Sequence, residues 1–292
     1  MSHLGQAAQR ALDLSDEERI QYILGDRWIE YTAATMVLAD LERLLHHPRV
    51  HRMPNRLIVS DTNNGKTSLI RRFLLLHERS DDPALEASRL PILMVQAPPT
   101  PERRAFFTSI LDELHMPHAP SQKTEVLFNQ VRTLVPKVGV RMLIIDEIQH
   151  LIAGDSQKQH AFLNVIKYFS NEWQLPIVAA GTAEAYNAVR VDAQTANRFQ
   201  PVELPRWRNN GEFRRLLMSF EALLPLRKAS NLAAPEMALR LSLMSEGNIG
   251  ELSTLLNQAA IEALSSEETI TDNVLDRIGW TPATQRKGRP NA

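Results

Sequence analysis

The stretch from Arg56 to Leu69, R-L-I-V-S-D-T-N-N-G-K-T-S-L, constrains the fold of this chain more than any other. The apolar run Leu57-Ile58-Val59 predicts a strand, the small and polar residues after it a loop, and S-L-I-R-R-F-L a helix. Strand, loop and helix in that order, with Gly65-Lys66-Thr67 at the junction, make an anion-binding turn. Successive backbone N–H groups of such a loop point inward at phosphate oxygens, and the helix adds the positive end of its dipole. Gly65 lets the backbone come close, and Asn63 and Asn64 are among the non-glycine residues that best accept left-handed conformations.

The turn resembles the Walker A signature G-x-x-x-x-G-K-[ST], with Ser60 standing where the first glycine usually sits. Nucleotide contacts are therefore expected from Ser60, Asp61, Thr62, Asn63, Asn64, Gly65, Lys66, Thr67 and Ser68. Lys66 would reach the β- and γ-phosphates of ATP, and the Thr67 hydroxyl would hold Mg²⁺. Further on, Val140 to Glu147 reads V-R-M-L-I-I-D-E, a run suited to a strand buried on both faces and ending in two acids, which resembles Walker B. In an open α/β sheet, ligands sit at the carboxyl ends of the strands, where these acids fall. Asp146 would hold Mg²⁺ opposite Thr67, and Glu147 would orient and polarise the attacking water. An acidic helix cap after a core strand is the plainer reading of either acid alone.

Composition sets the frame. At 292 residues, 43% hydrophobic and 23% charged, the chain suits one large domain or two smaller ones. Without cysteine it has no disulfide, thiolate metal site or cysteine nucleophile. The N-terminus lacks an apolar signal core, and no run of about 18 apolar residues could span a bilayer, so a cytoplasmic protein without membrane contact is expected. The net charge is −1, so nucleic-acid binding would need a local basic patch.

Four blocks are expected: a helical segment over 1–50, a nucleotide-binding α/β domain over 51–207, a helical lid over 208–280, and a basic, disordered tail over 281–292. Ser15 followed by Asp16, Glu17 and Glu18 reads as a capped helix start. Trp28, Ile29 and Tyr31 are candidates to cover an adenine, or simply core; His46, His47 and His51 read as surface residues. The charged stretch from Glu78 to Leu90, with Asp82-Pro83, reads as a surface connection. Strands are expected over Pro91–Gln96, Pro176–Gly181 and Pro201–Leu204, which with the two above make five. Arg103 and Arg104 fall in the first turns of a helix opening near Pro101, where the dipole favours acids. With Lys123, and Lys137 beyond it, they are candidates for a phosphodiester backbone, or for a solvated helix face.

The order of elements resembles the AAA+ class, which implies a parallel five-stranded sheet flanked by helices, with a C-terminal helical lid. By that resemblance Thr182, after the strand P-I-V-A-A-G, stands where a polar sensor contacts the γ-phosphate or the water; it would also serve as a helix cap. Arg198, just before the last strand, stands where an arginine finger reaches a neighbouring subunit's nucleotide, with Arg190 in reserve. Lids of the class often carry arginine in a G-x-x-R segment; here Gly247-Asn248-Ile249-Gly250 ends in glycine, which implies weak turnover.

Taken together, D-R-W-I, M-P-N-R-L-I-V-S-D-T-N-N-G-K-T, V-G-V-R-M-L-I-I-D-E, G-T-A-E-A-Y, N-R-F, L-P-L-R and E-G-N-I-G-E-L resemble, in this order, the TniB family of transposition ATPases, relatives of TnsC. The resemblance runs from about Asp26 to Ile278. It implies an ATPase that assembles as a ring or filament on duplex DNA, marks the insertion target, recruits a DDE-type transposase and works with a TniQ-type target-selection protein. A helicase loader and a nucleotide-dependent signalling switch are the alternatives from other classes.

Overall fold

Helix α1 (Gln6–Ala11) and helix α2 (Asp16–Leu24) precede the first strand, as does α3 (Thr32–Leu45). The computed structural model describes residues 3–77, 90–152, 156–191 and 197–286. Most of the connection expected over Glu78 to Leu90, and the end of the basic tail, lie outside the described residues. The chain divides into two units: Thr32–Thr62 with Lys66–Leu204, and Met1–Tyr31 with Asn63–Gly65 and Pro205–Ala292. The expected N-terminal block is thereby split, its first part joining the C-terminal helices and α3 joining the sheet.

The first unit is built on five parallel strands, β1 (Asn55–Val59), β2 (Ile92–Gln96), β3 (Met142–Asp146), β4 (Ile177–Gly181) and β5 (Phe199–Glu203), in the order β2-β3-β4-β1-β5. Each strand follows a short apolar run, and parallel pairing requires crossovers long enough to hold a helix. Those described here are α4 (Lys66–Leu76), α5 (Arg103–Glu113), α6 (Thr124–Lys137), α7 (Gln149–Ile152), α8 (Ser156–Trp173) and α9 (Ala183–Val191). β3 and β4 are buried along their whole length, as the unbroken runs M-L-I-I-D and I-V-A-A-G demand. The row Val95, Ile145, Ala179 and Leu57 runs across one face in register, over a core that takes in Phe106, Phe107, Phe162 and Phe169. Asn55 is buried at the start of β1, and its Oδ1 accepts the N–H of Ile177 at 2.8 Å, which satisfies the start of β4. β5 is an edge strand with Gln200, Pro201 and Glu203 exposed.

The second unit is helical. After Pro205 come α10 (Gly211–Leu223), α11 (Pro235–Met244), α12 (Ile249–Leu264), α13 (Asp272–Arg277) and the single turn α14 (Ala283–Arg286). Ile23 of α2 is buried in one core with Phe213, Leu217, Leu241, Leu255 and Leu256. α2 opens on the capping box read from the sequence, Ser15 Oγ accepting from Glu18 N and Ser15 N donating to Glu18 Oε2. Its Arg19 is 1% exposed and holds Glu268 through two hydrogen bonds of 2.8 and 2.6 Å, with a third to the carbonyl of Pro225 at 2.5 Å. Of the segment expected to be disordered from residue 281, the described part is ordered, and its last residue is Arg286. There the guanidinium pairs with Glu251 at 2.6 Å and lies over the Trp280 ring, and Thr284 donates to Glu246, which fixes this turn. No described helix is long and apolar enough to cross a membrane.

Candidate functional site

The carboxyl ends of β1, β4 and β3 are neighbours in the sheet, so Ser60, Thr182 and Asp146 emerge side by side. Ser60 and Lys66 are buried at the two ends of the loop. Lys66 Nζ donates to the carbonyls of Ser60 and Asp61 at 3.0 and 2.9 Å and to Ser60 Oγ at 3.2 Å. Burial pushes the Lys66 ammonium below its ordinary pKa, and the carboxylates of Glu147, Asp146 and Asp61 oppose that fall. Thr67 Oγ1 donates to Asp146 Oδ2 at 2.8 Å, and Asp146 Oδ1 accepts the N–H of Glu147 at 2.9 Å. Asp61, Thr62 and Ser68 are exposed.

Glu147 leaves β3 with φ +55°, an uncommon conformation for a residue that is not glycine. Its Oε2 accepts from Gln149 Nε2, and Gln149 Oε1 accepts the N–H of Thr182 at 3.3 Å. The Thr182 hydroxyl oxygen is buried with no hydrogen-bond partner among the described residues. An orphaned buried hydroxyl is costly unless something else engages it.

The tip of the loop, Asn63–Gly65, belongs to the helical unit. Asn63 has φ +59° and Gly65 φ +86°, the left-handed backbone anticipated from these residue types. The carbonyl of Asn63 accepts the N–H of Gly250 at 3.0 Å, Asn64 Oδ1 accepts that of Ile249 at 3.3 Å, and Asn63 Nδ2 donates to Glu251 Oε1 at 3.3 Å. These bonds satisfy the first turn of α12, whose N-cap Asn248 also accepts from Gly250 and Glu251. Gly250 is glycine for a steric reason: a Cβ there would lie 2.1 Å from Asn63 Oδ1 and 2.4 Å from the Asn63 carbonyl oxygen. Gly250→Ala should therefore cost about 1–3 kcal/mol, read as a lower melting temperature. An unchanged melt would show that α12 does not hold the loop tip this closely. In the same unit Tyr31 meets Trp207 edge to face at 5.1 Å, and both line the helical core along with Ile29.

The remaining candidates lie apart. Arg198 is half-buried, and its Nη1 donates to Asn171 Oδ1 at 2.8 Å; Arg190 lies over the Tyr186 ring. Arg103 and Lys123 are exposed. Arg104 donates to the carbonyls of Pro120 and Gln122, which gives a local structural reason for a cation in the first turn of α5. Among the described residues no cluster of His, Cys, Asp and Glu could hold a metal ion by itself, His46, His47 and His51 included.

The family model described as Bacterial TniB protein matches residues 19–209, more than half of the chain. The chain belongs to the TniB family. TniB is a transposition-associated AAA+ ATPase family. No curated protein matches this TniB chain. Among solved structures, the Aeropyrum pernix ORC1 protein in complex with DNA superposes at TM-score 0.65 and 16% identity, over 88% of this chain and 68% of that one. The Aeropyrum pernix ORC2 protein in its ADPNP-ADP complexes gives 0.61 at 13% identity, over 88% and 70%. Cdc6p from Pyrobaculum aerophilum gives 0.62 at 12%, over 88% and 68%. At these identities the likeness is one of fold, which is AAA+. Sequence reasoning missed Gln149, which sits in the run D-E-I-Q and reads there as an ordinary helix start, and the Asn63–Gly250 contact, which spans most of the chain.

Proposed function

We propose that this TniB chain is an ATP-hydrolysing regulator of DNA transposition that assembles on duplex target DNA. The observation that carries the reading is the convergence of Lys66, Thr67, Asp146 and Glu147 beside the buried, unpartnered hydroxyl of Thr182. The donor set fits a magnesium nucleotide. Thr67 Oγ1 and Asp146 Oδ2 are hard oxygen donors 2.8 Å apart, the type that binds Mg²⁺ together with phosphate oxygens. Mg²⁺ held by Thr67 and Asp146 would neutralise charge on the β- and γ-phosphates. The backbone of Ser60 to Ser68 cradles the phosphates, and Lys66 exchanges its loop carbonyls for phosphate oxygens. Thr182 donates its hydroxyl to the γ-phosphate or the attacking water. Glu147 takes the proton of that water as it attacks the γ-phosphorus in line, and ADP leaves with the bridging oxygen.

Membership of TniB supports the transposition setting, and the fold neighbour solved in complex with DNA supports a DNA-bound state. In this reading Arg198 leaves Asn171 to reach the nucleotide of the next copy, so that ATP joins subunits into a ring or filament. Exposed Arg103 and Lys123 contact phosphodiesters, with Arg104 bracing the adjoining loop. A DDE-type transposase and a TniQ-type protein are the partners the assembly would serve in the cytoplasm. Contacts of this kind weaken steeply with salt and depend little on sequence.

Sedimentation with linear duplex DNA tests the reading. Particles should grow with ATP and not with ADP. Glu147→Gln should slow hydrolysis by about 10²–10⁴-fold while prolonging the assembly. Failure of that variant to assemble would remove the disassembly role of hydrolysis. Absence of DNA binding with either nucleotide would leave a switch, and capture of a replicative helicase in place of a transposase would make the protein a loader.

A further inference from the structure

We infer that Gln149 is a positioning residue that sets the Glu147 carboxylate by tying it to the backbone of the Thr182 sensor position. The inference rests on the hydrolytic reading of Glu147 and adds a residue to it.

A single amide bridges two strands' ends. Its Nε2 donates to Glu147 Oε2 and its Oε1 accepts from Thr182 N at 3.3 Å. The amide carries its donor and its acceptor on separate atoms, and a carboxylate oxygen on one side with an N–H on the other leaves only one way round for it. The bridge is built into the fold from both sides. Gln149 opens α7 and lies two residues past Glu147, whose positive φ turns the chain so that the two side chains meet. Opposite, Gly181 leaves room for the amide: a Cβ at that position would stand 2.8 Å from Gln149 Oε1, 2.7 Å from Ala185 Cβ and 2.9 Å from Ile148 Cγ2. The Thr182 hydroxyl is left unbonded beside the same backbone N–H that the amide holds.

The arrangement has a chemical consequence. With Oε2 committed to the amide, Glu147 presents Oε1 as the base, in one orientation. A free carboxylate would rotate and sample geometries in which neither oxygen lines up with the water. Because the amide also grips Thr182 N–H, the base and the sensor hydroxyl move as one body. A phosphate that engages Thr182 therefore meets a base already aimed at the water beside it. This is positional catalysis, in which a misplacement of about 1 Å costs on the order of 10²-fold in rate.

The test is steady-state and single-turnover ATP hydrolysis by the full chain with duplex DNA, together with binding of a fluorescent ATP analogue. Gln149→Ala should lower kcat by about 10–100-fold, with KM and analogue affinity unchanged within about twofold. Gln149→Glu, nearly the same size, should lose as much, since a second carboxylate beside Glu147 repels it. In the Glu147→Gln background, Gln149→Ala should bring no further loss, because the group it positions is gone. A kcat within a factor of two of wild type in both Gln149 variants, with Glu147→Gln dead, would overturn the inference and leave the hydrolytic reading standing. Full additivity of the two changes would also overturn it. Wild-type hydrolysis by Glu147→Gln would instead remove the role of Glu147 on which the inference rests. Should Gln149→Ala melt early, the isosteric Gln149→Glu variant carries the decision.

Discussion

Lys66→Ala should weaken ATP binding by about 100-fold or more, the loss expected for two charge-assisted hydrogen bonds of about 1.5–3 kcal/mol each. The ammonium is buried against the loop carbonyls of Ser60 and Asp61, already aimed into the turn. Titration calorimetry with ATP and Mg²⁺ reads the loss directly. ATP-dependent growth on duplex DNA should vanish with it. The fold should hardly notice. Burial disfavours the charged lysine and pushes its pKa down, which offsets part of what its hydrogen bonds contribute to stability. A variant that melts like the wild type but no longer binds ATP places the defect in the site. Wild-type ATP affinity in Lys66→Ala would sink the phosphate-loop reading.

The second large effect concerns the helical unit. Glu268→Gln leaves the Arg19 guanidinium, 1% exposed, without the carboxylate that takes two of its hydrogen bonds. Removing one partner of such a pair costs about 3–5 kcal/mol, so a melt by circular dichroism should fall by roughly 10 °C or more. The sign of the pH dependence follows from the same pair. The hydrogen bonds from Arg19, helped by the backbone N–H of Arg227, hold the Glu268 carboxyl below its ordinary value of 4.5. A carboxyl depressed on folding contributes stability that is present above its unfolded pKa and is lost as the pH falls through the folded value. Acidification below about pH 4.5 should therefore destabilise the wild type, and Glu268→Gln should lack that component. Equal melts at neutral pH would show that the pair contributes nothing.

What could be read from the sequence was local. L-I-V before a polar loop and G-K-T, and M-L-I-I before D-E, are short windows whose periodicity and end residues need no partner to be recognised, and the parallel sheet follows from them. The strand ends were right to within about two residues for the same reason, since apolar runs stop where burial stops. What escaped depends on residues distant in sequence. Arg19 looks like an ordinary cation on a capped helix until Glu268 arrives beside it. Gly250 looks like the lack of an arginine, whereas Asn63 occupies the space a side chain would need. Arg104 runs against the dipole preference and so reads as a candidate DNA contact; only the fold shows that the carbonyls of Pro120 and Gln122, a short loop away, accept its hydrogen bonds. Gln149 was hidden by proximity, because nothing in D-E-I-Q says that its amide will turn back to Glu147 and across to Thr182.

The edge strand β5 bears on solubility. An outer strand with free N–H and C=O groups invites a second sheet to add to it, the route by which many proteins aggregate. Here the middle of that strand is Pro201, which has no N–H to offer, flanked by exposed Gln200 and by Glu203 at the end. Edge-to-edge strand addition is discouraged at this border by chemistry alone. The nucleotide-driven assembly proposed above would then meet no competition at this edge from a self-association that no nucleotide could reverse.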